Sequence, residues 1–400
     1  MFDPVVAGAA APGTVKDNDS AFAVAVLTGA PAIAELLRSA ALRQFPRRAG
    51  NGFQHDGLLQ TVLRTAAKDA AIVVARRGDR IATVWPLRFE HRHGLRLATD
   101  LASPFAQYSD VIGEPFDEAA FQAVRTILRE ACGVDVILCR GVRRDSGLAK
   151  ALAGCGVVEE TAAPFVDLEA FASFEHYCTR FSKQTARTRR QRRRRLEAQH
   201  GALGFSVLDG RQGRDAVARA LQWKREWLDA NGLSSRLINA RDLQDTLLAA
   251  IDDPAAHVSV LSAQDRPIAV ELGFSCAGNY AAFMGAFDPD FASYSPGQEQ
   301  MLLTIEWCFA QGFARYDLLP PRDAYKLHWA REHDEERVSD HCVPLSLAGA
   351  LYALARRYAR TPVKRTVLSL PAGLRVAARR YGPAAAGIGA TAATIGMLAD

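Results

Sequence analysis

The chain has 400 residues, 49% of them hydrophobic and 23% charged, with a formal net charge of +5. This length exceeds one small domain and suggests two, with an ordinary globular composition that can bury large cores. Of the 49 basic residues seven are Lys and 42 are Arg. Arg and Ala richness follows from a GC-rich genome as readily as from an anionic partner, so the charge selects no partner. The seven Cys are odd in number and form no C-x-x-C pair, which excludes a disulfide frame or a zinc site and points to a reducing compartment. The nine His show no H-E-x-x-H spacing, so no metal site is expected. No basic stretch followed by an apolar core opens the chain, and no run has the length and apolarity of a membrane span. A cytoplasmic protein is expected, with room for peripheral contact at the inner face of the membrane.

Residues 1–20 are small and polar and are expected to be disordered. Residues 21–27 read as a strand. Residues 31–45 read as a helix with proline near its start, and 58–67 as a further helix. Val74, Asp79 and Arg80 recur at a constant offset as Val260, Asp265 and Arg266, each set reading strand, Asp-containing turn, strand. Each copy runs on through a loop to a helix and a closing strand. These are 118–132 and 134–139 in the first copy, 298–311 and 314–319 in the second. The shared order predicts an α/β (α+β) fold of two similar units with mixed, mostly antiparallel sheets and flanking helices. The predicted limits are 21–172 for the first unit, 173–344 for a basic helix and the second unit, and 345–400 for C-terminal amphipathic helices and a tail.

Between the copies, Ser182 is placed to cap a helix ending at Gly201. Its segment 183–195 carries eight basic residues and no acidic one. It reads as a solvated face, as a docking surface for an anionic substrate or membrane, or as a nucleic-acid contact. The last is disfavoured because no aromatic residues interleave the charges. Residues 215–229 read as a helix with Val217, Ala220, Leu221, Trp227 and Leu228 on one face.

Four phrases together resemble a known family: Leu-Gln-Trp-Lys-Arg-Glu-Trp at 221–227, Arg-Pro-Ile-Ala-Val-Glu-Leu-Gly-Phe at 266–274, Tyr-Ala-Ala-Phe-Met-Gly-Ala-Phe-Asp-Pro-Asp-Phe at 280–291, and Ser-Pro-Gly at 295–297 followed by a helix, a Tyr-Asp strand end and Tyr325-Lys326. In that order they resemble the CelD/BcsL group of GNAT-type acyltransferases, linked by name to cellulose and other exopolysaccharides. The resemblance spans about residues 20–340 and is densest from 174 to 330. It implies a tandem GNAT fold related to Fem-type aminoacyltransferases, an acetyl-CoA or other acyl-CoA donor, and a sugar-linked acceptor. The chain departs from the usual GNAT pattern in having one glycine, Gly297, before the main helix, where a Q/R-x-x-G-x-G/A motif is expected.

The candidate groups follow from position and chemistry. A glycine-opened helix N-terminus offers free N–H groups and the positive end of a dipole to phosphate, which selects Ser295, Gly297 and Gln298. Tyr325 could protonate a leaving thiolate, and Lys326 could offset an oxyanion or hold an anionic acceptor; equally they are a packed Tyr and a solvated Lys. Asp317 serves as a base or caps a turn. Glu271, inside an apolar strand, either faces outward or is a buried carboxylate of raised pKa that acts as base. The alternatives to an acyl-CoA enzyme are a Fem-like transferase using aminoacyl-tRNA and a non-catalytic scaffold of an exopolysaccharide system.

Overall fold

A computed structural model describes residues 22–29, 33–34, 37, 52–65, 68–360, 370–371 and 373–376. Residues 1–20, most of the 31–45 helix and most of the segment after 360 lie outside the described residues. The chain divides into two compact units, residues 1–162 with 336–362, and residues 163–335 with 363–400.

In the first unit, β1 (Ala23–Thr28), β2 (Ala70–Arg77), β3 (Arg80–Arg92) and β4 (Leu95–Asp100) form an antiparallel run. A short β5 (Ile112–Gly113) pairs with β3. Helix α1 (Asp56–Thr65) precedes β2, and α2 (Glu118–Glu130) leads into β6 (Val136–Arg143), which lies parallel to β4. Asp117 caps α2 by accepting from the Ala120 N–H at 2.7 Å. The apolar positions of α2, Phe121, Val124 and Leu128, pack with Trp85 and Phe116 into the core of this unit. The sheet closes with β13 (Glu335–Pro344), antiparallel to β6.

The second unit repeats this order. Strands β8 (Leu203–Asp209), β9 (Ala256–Ala263), β10 (Arg266–Cys276) and β11 (Asn279–Phe287) run antiparallel. The helix α8 (Pro296–Ala310) then leads to β12 (Arg315–Asp317), parallel to β11. The last strand, β7 (Val157–Asp167), pairs antiparallel with β12. The recurring hairpins β2–β3 and β9–β10 hold the same second and third places in their sheets. Each turns in two residues, Gly78-Asp79 and Gln264-Asp265, whose first residue has a positive φ of 56° and 51°. That geometry matches the twist of a tight hairpin, and Gln264 adopts it without being glycine.

Helices α3 (Phe174–Cys178) and α4 (Lys183–His200) follow β7. Ser182 caps α4, accepting from the Thr185 N–H at 3.1 Å. Helices α5 (Arg214–Ala230), α6 (Arg236–Asn239) and α7 (Arg241–Ala250) fill the β8–β9 connection, with α5 against β10 and β11. The core face of α5 uses Trp223; Trp227, assigned to that face by its spacing, is 46% exposed. Its ring carries the Lys224 ammonium at 5.2 Å from the centroid. A tip that meets solvent and a cation on its π face make this a tolerable place for an indole. All seven cysteines are free thiols, with Cys139, Cys308 and Cys342 buried and the others half-buried. Among the described residues no helix is long and apolar enough to cross a membrane.

Candidate active site

Two features of the second sheet create an opening. Strand β11 pairs with β12 only at Asn279, Tyr280 and Ala281, while it runs on to Phe287. Leu272 pairs with Met284 and Gly273 with Ala282, so Phe283 is one extra residue, a β-bulge. A bulge bends its strand and increases its twist, which re-aims the strand just where β12 ends. Past Ala281, the β12-facing edge of β11 is therefore not used by β12. The residues that follow β12, Leu318 through Lys326, stand at the end of this opening.

Glu271 lies on β10 beside the bulge and is 1% exposed, so the outward-facing reading is overturned. It accepts hydrogen bonds from the Tyr280 hydroxyl at 3.0 Å and the Tyr316 hydroxyl at 2.7 Å. The register explains the geometry. Tyr280 pairs with Ser275 across the sheet, and odd-numbered residues of β10 share a face, so Tyr280 and Glu271 project to the same side. Tyr316 is the direct partner of Tyr280 on β12, and the two rings stack with centroids 5.3 Å apart at 14°. Gly273 makes the room: a Cβ there would lie 2.1 Å from Cζ of Tyr280. Burial pushes the Glu271 carboxyl up to about 7, against the lowering effect of the hydrogen bonds from Tyr316, Tyr280 and Gln300. Burial, with the Glu271 charge adding to it, holds both phenols well above their ordinary range. Behind them Gln300 of α8 donates to Ser259 Oγ and Thr304 Oγ1, both at 2.7 Å, so a polar network fills this part of the core. Tyr280 and Tyr316 lie within the family-like phrases, but nothing in their sequence context marks them as site residues. Their convergence depends on strand pairing, which the local sequence does not state.

Asp317 at the end of β12 comes together with Tyr325 and Lys326 of the short helix α9 (Ala324–Leu327). Asp317 Oδ1 accepts from the Leu319 N–H at 2.8 Å, which caps the turn where Leu319 takes a φ of 62°. Lys326 opens no solvated surface: it is 4% exposed. Its ammonium donates to the Leu319 carbonyl at 2.7 Å and the Pro321 carbonyl at 2.9 Å. Burial lowers it to about 8, with Asp323 and Asp317 raising it and Lys224 lowering it further. Lys224, on α5, is itself lowered by burial. The ring of Tyr325 is 58% exposed. Partial burial pushes the phenol up to about 12, with the Asp323 and Glu271 carboxylates contributing. With so much of the ring in water the shift is smaller in effect, and the phenol holds its proton at neutral pH in either case.

Ser295, Gly297 and Gln298 sit together at the start of α8. Ser295 has a left-handed backbone, φ 55° and ψ 50°, and its side chain forms no cap. Pro296 has no N–H, and the Gln298 N–H donates back to the Ser295 carbonyl at 3.0 Å. Gly297 stands in the first turn of the helix and lies against Phe287, whose Cδ1 is 3.3 Å from the place of a Cβ. Helix α4 runs beside it. Arg192 donates to Gln298 Oε1 at 3.3 Å, and Arg193 bridges Glu197 and Glu299, each at 3.0 Å. Burial raises the Glu299 carboxyl, and Arg193 and Arg189 oppose it. The basic run is thus not one solvated face. An inner row, Arg189, Arg192 and Arg193, turns toward α8; an outer row, Lys183, Arg187, Arg190 and Arg194, is exposed at helical spacing. A cleft of about 270 Å³ lies between α4 and α8, walled by Thr185, Thr188, Arg189, Arg192, Gln298 and Trp329 among others. A larger hollow of about 470 Å³ lies at α5 and α7, against Gln222, Arg225 and Gln244, and contains none of the predicted site residues. The β11–β12 opening is the candidate site, since the perturbed groups Glu271, Tyr280, Tyr316 and Lys326 converge there. Among the described residues no group of His, Cys, Asp and Glu is arranged to hold a metal ion.

Residues 183–327 match the family model of an acetyltransferase (GNAT) domain, a span from α4 to the turn that carries Lys326. That stretch of the second unit is similar in sequence to GNAT-type acetyltransferase domains. No curated protein matches the chain. Among solved structures, the C-terminal domain of an Agrobacterium fabrum protein named as a lysylphosphatidylglycerol synthetase is 16% identical, with 85% of this chain and 97% of that chain covered and a TM-score of 0.51. FemX is 13% identical, with 79% and 97% covered and a TM-score of 0.51. At these identities the likeness is one of fold.

Proposed function

We propose that this protein transfers an acyl group from an acyl-CoA, most simply acetyl-CoA, to an amine or hydroxyl of a sugar-linked precursor in exopolysaccharide or cell-envelope synthesis. The observation that carries the acyl-transfer step is the parting of β11 from β12 at the Phe283 bulge, beside a buried carboxyl poised near 7. The pantetheine pairs with the free edge of β11. The pyrophosphate rests at Ser295, Gly297 and Gln298, with Arg189 and Arg192 at its flank. The acceptor's nucleophile attacks the thioester carbon; its proton passes to Glu271 by way of the Tyr280 and Tyr316 hydroxyls. The carbon–sulfur bond breaks as Tyr325 protonates the sulfur, giving free CoA. Lys326 and Asp317 hold the chain end that presents Tyr325. The sugar acceptor rests on the CelD/BcsL resemblance.

The test is a titration of the purified protein with acetyl-CoA, read by melting temperature, followed by free-CoA release with candidate acceptors. Binding that is lost in Gly297→Glu supports the donor site; no binding by the wild type favours a scaffold. The exposed row Lys183, Arg187, Arg190 and Arg194 favours one second reading, a Fem-like enzyme whose donor is aminoacyl-tRNA. That reading requires salt-dependent tRNA binding abolished by Gln at those four positions.

A further inference from the structure

Helix α10 (Leu347–Ala355) of the first unit is seated by one face and bare on the other. Ser346 caps it, accepting from the Gly349 N–H at 3.0 Å and donating to Asp135 Oδ1 at 2.6 Å. Gly349 lies so close to the chain entering β6 that a Cβ would stand 2.1 Å from the Asp135 carbonyl oxygen. Tyr352 and Ala353 pack on Leu97, Val136, Leu138 and Cys342. The seat is specific, so the outer face is fixed in its direction.

That outer face carries Leu347, Ala348, Leu351, Leu354 and Ala355, and the next turn adds Tyr358. The large side chains are exposed by 82% at Leu347, 63% at Leu351, 53% at Leu354 and 66% at Tyr358. Steps of four and three residues align the three leucines in one row along the helix, and Tyr358 follows in the wider π-helical turn Arg356–Arg360. They are four of the eight large hydrophobic side chains exposed among the described residues, so this is a patch and not scatter. Charge identifies its counterpart. Residues 341–399 contain eight Lys and Arg and no Asp or Glu, and five of the eight fall within 356–365. Arg357 is exposed beside Tyr358, its guanidinium 5.4 Å from the ring centroid. An exposed apolar row beside the exposed Arg357, in a stretch whose sequence carries basic and no acidic residues, matches the acyl layer and the anionic headgroups of a lipid surface.

We propose that α10 is an in-plane anchor to an anionic membrane, with the row Leu347, Leu351, Leu354 and Tyr358 entering the acyl boundary and Arg357 at the level of the lipid phosphates. The proposal stands apart from the acyl-transfer reading, since it uses none of the residues of the candidate active site.

The experiment is co-sedimentation of the full chain with phosphatidylcholine vesicles, with and without phosphatidylglycerol. The wild type is expected to pellet with the anionic vesicles, and less so as salt is raised. Leu351→Glu/Leu354→Glu should weaken that partition at least about tenfold, equivalent to about 1.4 kcal/mol, because both side chains leave the acyl layer. Both positions are exposed, so the circular dichroism melt should not move. A wild type that stays in the supernatant with either vesicle overturns the proposal, as does a double variant that pellets like the wild type. Binding that survives the double variant and is lost on Gln substitution of Lys183, Arg187, Arg190 and Arg194 would move the attachment to α4. A concentration-dependent dimer dissolved by the double variant, without vesicle binding, would assign the face to a second copy of the chain.

Discussion

Replacing Glu271 by Gln tests the centre of the candidate site. The carboxyl is raised by burial from its ordinary value of 4.5 to about 7. A raised carboxyl keeps its proton in the folded state where the unfolded state has released it, so stability is greatest at or below the unfolded value and falls as pH rises through about 7. At about 1.4 kcal/mol per unit, the loss by pH 8 is on the order of 3 kcal/mol. Gln keeps the shape and the oxygen, and its amide can meet one tyrosine as donor, so the variant escapes this loss. Urea unfolding of both proteins at pH 5 and pH 8 should therefore show the variant gaining about 2–3 kcal/mol on the wild type between the two. The kinetic arm runs the other way. If Glu271 receives the acceptor's proton, wild-type turnover should rise with pH through about 7. The variant should lose that rise and about 10²–10⁴ in rate. Parallel stability curves would refute the buried ionisation, and an undiminished rate of CoA release would refute the base role.

Tyr325→Phe keeps the ring and removes the proton donor; CoA release should fall by about 10²–10⁴ with acyl-CoA affinity nearly unchanged, and full turnover would remove Tyr325 from the mechanism. Lys326→Met leaves the Leu319 and Pro321 carbonyls without their donor, and should cost about 1–3 kcal/mol in urea unfolding. A stable but inactive variant would return Lys326 to a direct role in the reaction. Gly273→Ala forces Tyr280 off Glu271, and a loss of about 1–3 kcal/mol with a shifted pH–stability curve is expected; an unperturbed protein would show that the Tyr280 ring is not held there.

The fold was legible because its signals are local. Ser182 before α4 and apolar spacing in α2 and α5 mark helices wherever the chain packs. The offset of Val74, Asp79 and Arg80 against Val260, Asp265 and Arg266 marks two hairpins, because a two-residue turn depends only on its own backbone. Long-range pairing was not legible. Strand β13 closes the first unit's sheet against β6 from nearly two hundred residues away, and no local pattern announces such a partner. Trp227 has the spacing of a core residue and yet is exposed, since periodicity gives a face and not its depth.

In the site, sequence alone selected Glu271, Asp317, Tyr325, Lys326 and the opening of α8 as chemically able. The type of each residue, its place after a strand or at a helix start, and the family likeness were enough for that. What each can do was decided by tertiary structure. Burial turned Glu271 inward and moved its carboxyl toward 7, and it tied Lys326 to two carbonyls. Arg193 was drawn out of a run of like charges to meet Glu299. A pKa or an ion pair belongs to the surroundings of a group, and those surroundings are supplied by strands and helices distant in the chain.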